Sequence, residues 1–199
     1  MALLTAGAPA LPLVLVLTLA SALAPAGGAA PLAAQLTQQE ALALAFPAAD
    51  SVERRTAYLD DEALERVRAL AGPGVEVPSG VVTYYVASRT GKPLGVAYFD
   101  AHRVRTLPEV LMIVVDPAGE VRRIETVSFR EPPEYRAPDG WLRQIEGRPL
   151  EDDLSLKRDI PNLTGATLTA QAAVAAARRV LALHAVIAPL APGAREPTR

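Results

Sequence analysis

The 199-residue sequence contains no cysteine, which removes disulfides, thiolate metal sites, cysteine nucleophiles and lipid attachment at a processed N-terminal cysteine. Histidine is nearly as scarce. With only His102 and His184, a multi-histidine metal site is not expected. Excess positive charge is missing too: a formal net charge of -2 leaves no electrostatic footprint for nucleic acid. The arginine pairs Arg54-Arg55, Arg122-Arg123 and Arg178-Arg179 are scattered along the chain and are expected on solvated faces. No G-x-S-x-G, G-x-G-x-x-G or G-x-x-x-x-G-K-[ST] occurs, so the common nucleophile elbow and phosphate loops are excluded.

What is present starts with an apolar, uncharged run, "ALPLVLVLTLASALA" from Ala10 to Ala24, followed by the small-residue stretch "PAGGAAPLAA". This is the texture of a signal-peptide core and cleavage region, and the run falls short of the ~20 residues of a usual membrane span. Residues 1–34 are therefore expected to be a signal peptide, with a retained membrane anchor as the alternative, although no Lys or Arg precedes the run. The mature part is expected outside the cytoplasm, in the periplasm or on the outer face of the cytoplasmic membrane. Removing the segment leaves about 165 residues, enough for one domain.

Residues 35–78 read as an N-terminal helical region. "TQQE" from Thr37 has capping-box spacing and predicts a helix over 38–46, ended by Pro47. Asp60 can cap a second helix, with Leu64, Val67 and Ala71 on one face and Gly72-Pro73 as its stop. After Pro78 the texture turns β-branched and aromatic, and four strands are predicted: 81–88, 94–100, 109–116 and 120–129. Short connections through Thr90-Gly91 and Asp116-Pro117-Ala118-Gly119 imply an antiparallel meander. The unbroken apolar run 110–115 implies a strand covered on both faces, hence an α+β fold with helices packed on the sheet. A short helix is expected over 139–147. The last helix, about 169–187, puts Val174, Ala177, Val180, Leu181, His184 and Ile187 on one stripe. His184 belongs to the core on this reading, and 189–199 is expected to be a disordered tail.

The chemistry concentrates at "PNLTGATLTA", residues 161–170, where Thr164, Thr167 and Thr169 crowd around Gly165 and Ala166 at the mouth of that helix. Small residues admit a ligand to the backbone, and helix-terminal amides favour an anion such as phosphate. Simple helix capping by Thr167 or Thr169 explains the same residues.

"TGATLT", residues 164–169, resembles the [ST]-G-A-T motif of FMN-binding domains, found in flavoprotein subunits of bacterial sodium-pumping quinone reductases and related electron-transfer complexes. The surroundings are similar as well: Asp116 to Val121 matches D-P-x-G-x-[IV], Glu131-Pro132-Pro133 resembles a Glu-x-Pro loop, and Trp141 with Gly147-Arg148 resembles the short helix before the motif. The likeness covers about residues 80–187, so 79–188 is expected to be the FMN-binding domain. It implies FMN esterified to Thr167 by a dedicated flavin transferase outside the cytoplasm, and electron exchange with redox partners, some membrane-bound. Thr164, Gly165, Ala166, Leu168 and Thr169 would surround the attachment point. Glu131 and Tyr135 are candidates to wall the ring, or else the stretch "FREPPEY", residues 129–135, is simply a proline-stiffened connection, and Trp141 would either stack on the ring or belong to the core. The family often has an aspartate three residues before the motif; here Pro161 stands there and Asp159 is the nearest. His102, Arg103 and Arg105 are further candidates for holding phosphate or meeting a partner's acidic surface, or else polar residues leading out of a strand. The alternative function is a non-catalytic exported binding or sensing module for a reversibly bound anion.

Overall fold

The computed structural model describes residues 35–152, 154–156, 158 and 160–191. The expected signal peptide, the end of the expected tail, Asp153 and Asp159 lie outside the described residues. Five strands form one antiparallel sheet in chain order: β1 (Ser51–Tyr58), β2 (Val81–Arg89), β3 (Lys92–Arg103), β4 (Pro108–Val115) and β5 (Val121–Phe129). The helices are α1 (Gln38–Ala45), α2 (Asp61–Ala71), α3 (Asp139–Leu142) and α4 (Thr167–Ile187).

Local chemistry accounts for most boundaries. Thr37 and Glu40 close a reciprocal capping box on α1, and Asp60 Oδ1 accepts the Ala63 N–H to start α2. Thr90 and Gly91 both have positive φ between the paired residues Arg89 and Lys92, the two-residue hairpin turn whose twist suits the strands. Asp116 Oδ1 accepts the N–H groups of Ala118 and Glu120 and so shapes the β4–β5 turn. Gly95 sits at φ 152, where a Cβ would come within 2.8 Å of the Val115 carbonyl oxygen, so no other residue fits without a shift.

Strand alternation divides the core into two layers. Tyr84, Val86, Tyr98, Leu111 and Ile113 face α4 and α3, while Tyr85, Ala97, Met112 and Val114 face α1. β4 is covered on both sides, as its unbroken apolar run implied, and each fully buried side chain such as Leu111 or Ile113 contributes roughly 1.5–3 kcal/mol. A separate cluster joins α2, through Val67 and Ala71, to Ala182 and Leu183 near the end of α4. By length and composition α4 would also suit a membrane span, but here its apolar stripe is packed into the core.

The structure departs from the sequence reading in three places. The N-terminal region is not wholly helical, because β1 lies between α1 and α2 and pairs along its length with β2. The chain after α4 begins inside the fold, with Pro189 buried and Leu190 packed against the main core. And the pair Arg178-Arg179 is not on a solvated face: Arg179 is buried and Arg178 half-buried.

Candidate functional site

The motif 164–169 crosses from loop into helix. α4 starts at Thr167 with Ala166 as its N-cap, and no side chain caps it. Neither Thr167 nor Thr169 is the capping residue. Thr167 Oγ1 donates instead to the Leu163 carbonyl at 3.2 Å, and its side chain is half-buried. Gly165, at φ 87, is exposed, with open space where a side chain would point. Thr164 and Leu168 are exposed, and Ala166 is buried.

Two cavities meet at Thr167. The larger, about 620 Å³, has residues 73–75 and 154–156 as walls and Thr167, Gln171, Val174 and Arg178 of α4 as floor. Its size falls within the ~300–1,000 Å³ of small-molecule pockets. The smaller, about 190 Å³, is lined by residues 165–169, Arg105 and Tyr135. Arg105 stacks on the Tyr135 ring, its guanidinium carbon 4.6 Å from the ring centroid. Arg105 and the first turn of α4 therefore both line the smaller cavity, and a guanidinium with helix-terminal amides is a donor set suited to phosphate.

The remaining sequence candidates act from behind this surface. Thr169 is buried, and its hydroxyl donates to the Tyr135 carbonyl, fixing the 133–135 turn to α4. Glu131 touches neither cavity. Its Oε1 accepts the N–H groups of Leu107 (2.8 Å), Thr106 (2.7 Å) and Arg105 (3.2 Å), which hold the carboxyl below its ordinary range. It thereby shapes the β3–β4 turn that carries Arg105. Trp141 is a core residue whose Nε1–H donates to the Pro161 carbonyl at 2.9 Å, anchoring the loop before the motif. Trp141→Phe is expected to cost about 1–2 kcal/mol, chiefly from the orphaned carbonyl, read as a lower urea midpoint with unchanged slope.

His102 is not part of this site. It lies on β3 between Asp100 Oδ1 (2.8 Å) and Glu109 Oε2 (3.1 Å), and Asp100 also takes a bidentate pair of bonds from Arg179 at 2.7 Å each. Burial alone would lower the imidazole, yet the two carboxylates outweigh it and raise His102 to about 9. His184 is a satisfied core histidine, 3.1 Å from the Tyr98 hydroxyl and lowered by burial to about 4.

Sequence reasoning missed Arg178 and Gln171. The signal was available: residues 167, 171, 174 and 178 recur at the spacing of one helical face. Comparison of the chain with protein-family models, characterised proteins and solved structures finds no match.

Proposed function

We propose that this chain is an exported flavoprotein that carries FMN as a phosphoester on Thr167 and relays electrons outside the cytoplasm. The observation that carries the reading is the Thr167 hydroxyl, half-buried on the first turn of an uncapped 21-residue helix and lining both cavities. The residues present fit the group: N–H donors and Arg105 for the phosphate, and a cleft of small-molecule size for the ring. Bound there, FMN would supply electron transfer, with the protein positioning the ring and tuning it by charge and hydrogen bonds.

A threonine hydroxyl is a weak nucleophile unaided, and among the described residues no base is bonded to Thr167 Oγ1, which donates to the Leu163 carbonyl. Attachment therefore requires a separate flavin transferase and an activated FMN donor: Oγ1 gives up its proton and bonds to the flavin phosphorus, the donor's phosphoanhydride P–O bond breaks and its other phosphate half leaves with that proton, for a net gain on the chain of FMN less one water. Gly165, two residues earlier, is exposed with open space where a side chain would point. Once attached, the tether makes rebinding of the ring intramolecular, at high effective concentration. Redox partners would meet the ring from the open side of the cleft.

A second reading, reversible binding of an anion without the ester, is favoured by Arg105 and the free helix amides alone. Production of the full chain with a flavin transferase separates the two. The expected result is an intact mass increased by FMN less one water and a yellow colour that stays with the denatured polypeptide. An unmodified mass, or colour released on denaturation, overturns the covalent reading.

A further inference from the structure

Arg178 lies eleven residues beyond Thr167 on the same face of α4, and both line the larger cleft. At 1.5 Å per residue the two are roughly 16 Å apart along the helix, comparable to the reach of a phosphate, an extended ribityl chain and the fused rings beyond it. The guanidinium is held in place by backbone alone. Nε donates to the Ala71 carbonyl at 2.7 Å, and Nη1 donates to the carbonyls of Glu151 at 2.6 Å and Leu154 at 3.3 Å. Among the described residues no carboxylate forms an ion pair with it and Nη2 has no hydrogen-bond partner. The cleft is thus lined by a half-buried, pre-oriented cation whose Nη2, beside Gly72, still has its hydrogen-bonding capacity unused among the described residues. Between it and Thr167 the floor is Gln171 and Val174, an amide and an apolar contact for a planar ring.

We infer that this cleft receives the isoalloxazine ring of the flavin held at Thr167, with Arg178 Nη2 placed as hydrogen-bond donor and positive charge at the ring's pyrimidine edge. This rests on the covalent reading. Reduction of the ring by two electrons with uptake of one proton leaves one more negative charge on that edge. A fixed cation beside it favours the reduced form over the oxidised one. The three carbonyl bonds keep the guanidinium from following the ring or retreating into solvent.

The test uses the full chain produced with a flavin transferase, with attachment read first by intact mass. With the adduct present, Arg178→Gln is expected to shift a dithionite titration about tenfold toward oxidised flavin, about 30 mV for a two-electron couple. Arg178→Lys keeps the charge but not all three carbonyl bonds, and is expected to stay within about threefold of wild type. Ala175→Trp, projecting into the cleft from α4, is expected to raise iodide quenching of flavin fluorescence at least threefold with the adduct mass unchanged. If the adduct is present and either Arg178→Gln or Ala175→Trp leaves its readout at the wild-type value, the cleft assignment is overturned and the Thr167 reading stands. If the wild-type chain acquires no adduct, both are overturned.

Discussion

Thr167→Ala is expected to abolish covalent flavin on the polypeptide, with no added mass and no colour after denaturation, while the protein stays folded. The hydroxyl is the group consumed in the ester, and its loss costs the fold little because its hydrogen bond goes to the Leu163 carbonyl in a half-buried loop. Thr167→Ser keeps the oxygen in the same place and is expected to accept FMN. The neighbouring threonines make the control. Thr169→Val removes a buried hydroxyl that holds the Tyr135 carbonyl, so it should cost about 1–2 kcal/mol in urea denaturation and still carry the adduct. Thr164 is exposed, and Thr164→Val is expected to change neither. An adduct that survives Thr167→Ala, or moves to Thr164 or Thr169, contradicts the assignment of Oγ1 of Thr167 as the acceptor.

The largest effect on stability is expected at the buried ion cluster on the α4 face of the sheet. Asp100→Asn removes the carboxylate that meets Arg179 in two bonds and His102 in a third, leaving a buried guanidinium without its counter-charge. Breaking such a pair from one side typically costs about 3–5 kcal/mol, a large part of the stability of a domain this size. Urea denaturation at pH 7 measures it, and a loss under about 1 kcal/mol would show that the cluster is not electrostatically coupled.

The same cluster sets a pH dependence. His102 is raised to about 9 from its ordinary 6.5, so the folded state holds this proton more tightly than the unfolded chain. Its stabilisation is complete below about pH 6.5, declines above it and is lost as pH rises through about 9; the shift corresponds to about 3 kcal/mol. Glu109 strengthens the demand for a charged imidazole, because its Oε1 is buried with no hydrogen-bond partner among the described residues. His184 works in the opposite sense. Burial lowers it to about 4, so stability is full above about pH 6.5 and falls as pH drops toward 4. Together they place the maximum near pH 6.5. His102→Gln is expected to flatten the alkaline side of a plot of urea midpoint against pH and leave the acid side unchanged.

Elements with a strong local signal were legible in the sequence. The capping box at Thr37, the Asp60 cap, the Thr90-Gly91 and Asp116 turns and the apolar run of β4 each depend on neighbours within a few residues, and each lies where its chemistry requires. β1 was not legible. Its sequence, "SVERRTAY", has charges where an inward face would need apolar residues, because it is an edge strand held by backbone pairing to β2 rather than by burial. The crowding of small and hydroxyl-bearing residues at 164–169 was also readable, but three threonines in one short stretch look alike until their partners are known.

Composition and local pattern alone determined the α+β class, the meander and the two-sided core, because each depends on periodicity or on side chains reaching their own backbone. Tertiary structure decided which threonine lines both cavities, that Trp141 and Glu131 lie behind that surface, that Arg178 lines the same cleft as Thr167, and that Arg179, Asp100, His102 and Glu109 form one charged cluster. These last relations join residues tens of positions apart. They come from which faces the strands and helices bury against one another, and no short window of the chain contains that information.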